Sequence, residues 1–134
     1  MHKTALFLVL ISATTAQAQP AVLTLACKGT GTDGYPGAKP EPISMGVILN
    51  FTAGTVQGFG VPGVVDYPVK ITGANDVTVS FSGSGFAGVM NVLGTLDRVT
   101  GDMEVTFTES DLKTKKIIGS QVYSLQCRPA QHMF

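Results

Sequence analysis

The side chains best able to do chemistry in this chain are few. Cys27 and Cys127 are its two thiols, and His132 is its one histidine beyond His2. Two sulfurs and one imidazole in the tail fall short of the four ligands of a structural zinc site. No serine or threonine has a base held near it in sequence, so nucleophilic catalysis finds no support. Gly83-Ser84-Gly85-Phe86-Ala87-Gly88 fits the pattern G-x-G-x-x-G, and Glu104 follows where a ribose-binding acid would stand. That pattern works where its glycines open a helix whose N-terminus meets a pyrophosphate. Here Val89-Met90-Asn91-Val92-Leu93-Gly94 reads as a strand, so the glycines read as a hairpin loop. Asp66 and Lys70 share the polar face of one strand, and Asp102 and Glu104 that of another. Both sets read as solvated outer surface. The expectation is a protein that is not an enzyme and uses no cofactor and no metal.

The thiols make better sense as a pair. Met1-His2-Lys3 is a short positive start, and Ala5 to Ile11 is an apolar run too short for a bilayer, which takes about 20 residues. Ala16-Gln17-Ala18 has the small-x-small form of a signal-peptidase site. The expectation is a signal peptide over 1–18, cleavage after Ala18, and a single domain over 19–134 in the periplasm or outside the cell. No cysteine follows the cleavage point directly, so a lipoprotein anchor is not expected. In an oxidising compartment two thiols usually bond. Closing so long a loop is worth about 4–5 kcal/mol in the chain-entropy model.

Residues 19–134 number 116, enough for one modest core. They carry 8 basic and 9 acidic side chains, a net charge of −1. Nothing there suggests nucleic acid, which calls for a basic patch. Charge is sparse, Gly, Ser, Thr and Val are abundant, and Trp is absent. This is a composition of short strands and turns.

The elements that would position these residues alternate with period two. Leu23, Leu25 and Cys27 share a face, as do Ile43, Met45, Val47, Leu49 and Phe51. Val65, Tyr67, Val69 and Ile71 form another set, Val77, Val79 and Phe81 another, and Met103, Val105 and Phe107 another. Met90, Val92 and Leu96 are a weaker set, broken by Gly94, and Tyr123, Leu125 and Cys127 close the series. A short strand around Val56 brings the count to eight. Both cysteines thus fall on apolar faces, as an internal disulfide requires. Pro68 marks the fourth strand as an edge or a bulge. The fold expected is all-β, a small antiparallel up-and-down barrel of eight strands. A two-sheet sandwich is the alternative. In either, the disulfide links the first and last strands.

The connections then divide into two kinds. Thr52 to Thr55, Gly73 to Asp76 and Asp97 to Gly101 are tight, rich in Gly, Asn and Asp. Gly31 to Pro42, Gly58 to Gly63, Gly83 to Gly88 and Glu109 to Lys116 are longer. In an up-and-down barrel these two kinds emerge at opposite ends. A mouth of long loops would carry Tyr35, Phe59 and Phe86, with Lys39, Lys113, Lys115 and Lys116 beside them. Loops on a rigid scaffold tend to carry function. The functional expectation is a binding module that uses this end for a small apolar ligand or a secreted protein. Alternatives are an inhibitor of a secreted hydrolase, a lysozyme or protease, or a structural envelope protein.

A terminal Phe134 and eight alternating strands also suit an outer-membrane barrel. The strand around Val77 is too short for the about 9–11 residues of a spanning strand, and aromatic girdles are missing. Asn50-Phe51-Thr52 matches a glycosylation sequon and is read as chance, because the signal peptide has a bacterial form.

At Leu96-Asp97-Arg98-Val99-Thr100-Gly101 and at the tail from Tyr123 through Cys127, Arg128 and Pro129 to Phe134, the chain resembles short uncharacterised exported proteins of proteobacteria. Those also pair an early Cys with one just before a Pro-containing tail, and the resemblance implies export without implying an activity. Avidin and lipocalin barrels are similar in architecture alone. Ser82-Gly83-Ser84-Gly85-Phe86 resembles the Ser-Gly loop of small-barrel lysozyme inhibitors, without their Tyr at its end or a basic residue in it.

Overall fold

A computed structural model describes residues 20–59, 69–85 and 88–131 of the chain. Eight strands follow one another: β1 Val22–Asp33, β2 Glu41–Asn50, β3 Thr55–Gln57, β4 Val69–Ala74, β5 Thr78–Gly85, β6 Met90–Asp97, β7 Asp102–Ser110 and β8 Ile117–Pro129. Each pairs antiparallel with the next, and β8 returns to pair with β1, so the sheet closes into a barrel. It is not a sandwich. The strand after the glycine-rich segment is β6, which leaves no helix there for a dinucleotide.

The alternation explains the closure. Leu25, Cys27, Val47, Leu49, Val56, Val69, Val79, Phe81, Val92, Leu96, Met103, Val105, Leu125 and Cys127 are buried and form one core. Between them along the strands stand exposed Lys28, Thr30, Ser44, Thr95, Glu104, Ser124 and Gln126. A single sheet with one apolar face hides that face by curling on itself. The barrel is therefore apolar inside and polar outside, the reverse of a barrel that faces lipid. Among the described residues no helix is long and apolar enough to cross a membrane.

Cys27 and Cys127 stand directly opposite each other in the β1–β8 ladder and are joined by a disulfide. They are 1% and 6% exposed, so the bond lies inside the seam where the first and last strands meet. The chain between them, spanning a sequence separation of 100, is thereby one closed loop.

Gly94 shows how the core is packed. It breaks the apolar alternation of β6, yet it lies opposite Phe81, and a Cβ there would collide with the Phe81 ring. The missing side chain is the space the ring occupies. Next to it the Phe59 ring stacks on Phe81 with centroids 5.3 Å apart. Phe59 also meets Phe107 edge-on at 6.1 Å, and Phe107 meets Tyr123 at 4.9 Å. Four linked rings thus cross the barrel on its long-loop side.

The tight-turn end is closed by polar side chains that hold the turns. Asn75 Oδ1 accepts the backbone N–H groups of Val77 and Thr78, both at 2.8 Å. This turn keeps Val77 out of the ladder: β5 begins at Thr78 and Val77 is exposed, where the alternation had placed it inside. Asp97 Oδ1 accepts from Val99 and Thr100 in the same manner. Arg98 donates to the Asn75 carbonyl at 2.7 Å and lies over the Phe51 ring, linking three turns.

The wall is thinnest at β3. It pairs with β2 only from Ile48 to Asn50, and with β4 only through Thr55 and Val56. The β4–β5 ladder shifts register between Ile71 and Gly73. Pro68, with Val65, Asp66 and Tyr67, lies outside the described residues, as does the tail containing His132.

Candidate functional site

The long connections all leave the end of the barrel opposite the tight turns, as a closed meander requires. Two of them are described in full, 34–40 between β1 and β2 and 111–116 between β7 and β8. Because β1 and β8 are neighbours, these two loops rise from adjacent parts of the rim. The Gly34 N–H donates to the Ser120 carbonyl at 2.7 Å, tying the start of one loop to the strand that begins at the other.

The 111–116 loop is built around Asp111. Its Oδ1 accepts the N–H groups of Thr114 at 2.8 Å and Lys113 at 2.9 Å. Those two bonds, Thr114 first, hold the exposed Asp111 carboxyl below its ordinary pKa. The Asp111 carbonyl accepts from Lys115 at 2.9 Å, and its N–H donates to the Lys116 carbonyl at 2.8 Å. Lys115 takes a left-handed conformation, φ 60°, to complete the turn. One helical turn forms here and no helix.

This scaffold pushes large apolar side chains into water. Leu112 is 59% exposed, Ile117 66% and Ile118 64%, and Tyr35 on the adjoining loop is 63% exposed. The two isoleucines follow from a register shift: Glu109 faces Gly119 and Ser110 faces Ile117, so Ile118 is the extra residue of a bulge. A bulge re-aims side chains at a barrel rim. Lys39, Lys113, Lys115 and Lys116 are exposed on the same two loops.

The inner side of the rim has the opposite charge. Asp33, Glu41 and Glu109 stand at the inward-facing register positions of β1, β2 and β7, continuing the parity of Cys27, Val47 and Val105. Gln121 donates to Asp33 at 3.2 Å. Burial, and then the charge of Asp33, push the Tyr123 phenol above its ordinary pKa.

Of the residues read from the sequence as a binding mouth, Tyr35, Lys39, Lys113, Lys115 and Lys116 share this exposed end. Phe59 belongs to the same end but is 5% exposed and part of the core. Gly58, at φ 123° and packed against the Gly46 and Val47 backbone where a Cβ would collide, turns the chain so that Phe59 enters the barrel. Phe86 lies outside the described residues. Leu112, Ile117 and Ile118 were missed, although the run Leu112-Lys113-Thr114-Lys115-Lys116-Ile117-Ile118 brackets the lysines with aliphatics. Adjacent isoleucines cannot both face a core from one regular strand.

Elsewhere the outer wall has two open grooves of about 540 Å³ each. One runs past Thr78, Thr95, Asp97, Asp102, Glu104 and Ser124, the other past Lys70, Ser82, Ser84, Asn91 and Leu93. Among the described residues no three His, Cys, Asp or Glu side chains are grouped to hold a metal ion. Comparison with family models, curated proteins and solved structures finds no match to the chain.

Proposed function

We propose that this is an exported, non-enzymatic binding domain that meets its partner with the long-loop end. The observation that carries the reading is the set of Tyr35, Leu112, Ile117 and Ile118, all more than half exposed, on two adjoining loops and the start of β8. Solvating such side chains is unfavourable by about 25 cal/mol per Å² of apolar area. Grouped exposed apolar residues mark interaction surfaces. Here they are held by a turn that spends an aspartate on its own backbone. The ring chain Phe59, Phe81, Phe107 and Tyr123 occupies the interior below. That favours contact across the loop tips over enclosure of a small apolar ligand.

Site-specific photo-cross-linking in cells that export the protein tests this. A photoreactive residue at Tyr35, Leu112 or Ile117 should give adducts at several times the yield of one at Val99 on the opposite end, or at Leu93 on the wall. All five positions are exposed, so accessibility does not bias the comparison. Equal yields from all five positions would refute the assignment of the binding end. Adducts with a secreted hydrolase would specify the partner as an enzyme under inhibition.

A further inference from the structure

The 111–116 loop pairs two features whose combination narrows the partner. Leu112 in the loop, and Ile117 and Ile118 at the start of β8 directly after it, flank three lysines, Lys113, Lys115 and Lys116. Tyr35 and Lys39 repeat the pairing on the neighbouring loop. The acid of the turn, Asp111, faces its own backbone N–H groups. The remaining acids nearby, Asp33, Glu41 and Glu109, are exposed, but they stand at inward-facing register positions on the strand ends and not on the two loops. The two loops themselves thus carry four lysines against the single acid Asp111, beside exposed apolar side chains.

We infer that the long-loop end docks peripherally on a bilayer bearing anionic headgroups, with Leu112, Ile117, Ile118 and Tyr35 entering the interface and Lys39, Lys113, Lys115 and Lys116 on the headgroups. This rests on the reading of that end as the binding end. Charge complementarity selects the occupant. A folded protein partner would need an acidic rim matched to four separate lysines, whereas an anionic membrane offers that charge at every position. The geometry agrees with interfacial binding, in which an apolar face is buried roughly 5–10 Å deep and basic side chains stay at headgroup level. Long lysine stems reach that level from beside inserted residues, and tyrosine favours the same zone. The polar outer wall keeps the rest of the barrel in water, so the domain would stand on the membrane rather than span it.

Co-sedimentation of the purified protein with vesicles tests the inference. One set is phosphatidylcholine alone, the other an equal mixture with phosphatidylglycerol. Binding is expected to the mixed vesicles, weak binding to the neutral ones, and loss of binding at high salt. Each lysine changed to Gln, as in Lys113→Gln or Lys116→Gln, should weaken binding by about five-fold. The pair Leu112→Ser and Ile117→Ser should abolish it, while Val99→Ser leaves it unchanged. All the substituted side chains are exposed, so thermal melting should match the parent and confirm that the variants are folded. Equal binding to both vesicle types, or binding indifferent to the lysines, overturns the inference. So does self-association through the same residues without vesicle binding. Strong cross-linking at Leu112 and Ile117 to proteins, with neither vesicle type bound, overturns the membrane as partner and leaves the binding end standing.

Discussion

Gly94 and Phe81 are complementary in a way that only the folded pair reveals. Phe81 is fully buried, and its ring fills the space that a side chain at 94 would need. Gly94→Ala should destabilise the domain by about 1–3 kcal/mol, the usual cost of overpacking a dense core. The measurement is the shift of the denaturant midpoint. Phe81→Leu in the Gly94→Ala background should recover part of the loss, because the shorter side chain frees the volume the new methyl takes. Additive losses in the double variant would show that the two positions do not share that space. The same pair explains a limit of legibility. Along β6 alone, Gly94 reads as a break in the alternation. Its purpose lies in β5, and nothing local to β6 records which ring will stand opposite.

At the scale of elements, pairing is uneven. β7 and β8 pair continuously from Asp102 to Glu109, and β1 and β8 from Leu25 to Asp33, while β3 is three residues long. Local opening free energies range from near zero to the global value according to such support. Amide hydrogen exchange should therefore find Val56 and Gln57 opening sub-globally, at least ten-fold faster than Val105 and Tyr123. Equal protection across these strands would mean that the barrel opens only as one unit. The strand count and the meander order were legible because each strand carries its own period-two pattern and each tight turn its own Gly, Asn or Asp. Disulfide pairing was legible because both cysteines fall on apolar faces. Two boundaries were not, and for one reason. Val77 continues an alternation, but Asn75 captures its N–H; Ile117 and Ile118 look like the start of a strand, but the register against β7 makes one of them a bulge. Side-chain capture and register are set by partners outside the pattern. The candidate site was therefore legible in its lysines and Tyr35, and hidden in its aliphatics.

At the scale of the molecule, the barrel separates what holds it together from what it presents. The disulfide joins β1 and β8 at Cys27 and Cys127, and the β1–β8 ladder reaches the rim at Asp33 and Gln121. Six residues of strand separate the bond from that rim, about 20 Å at 3.3 Å per residue. The β1–β8 ladder covers that distance without covalent help, from Lys28 to Asp33. The bond should then act through the unfolded chain, whose freedom it restricts, rather than through the shape of the loop end. Replacing both cysteines, Cys27→Ala with Cys127→Ala, avoids a lone thiol and should lower stability by about 2–5 kcal/mol. That is a large part of the about 5–15 kcal/mol of a typical domain. Cross-linking yield from Leu112 and Ile117 should stay at the parent level under conditions where the variant is folded by circular dichroism. A variant that is folded and yet silent at the loop end would show that the seam also sets the rim. The ladder between Lys28 and Asp33 would then be too weak to hold β1 against β8 unaided, and the thin wall at β3 would no longer be the weakest part of the barrel.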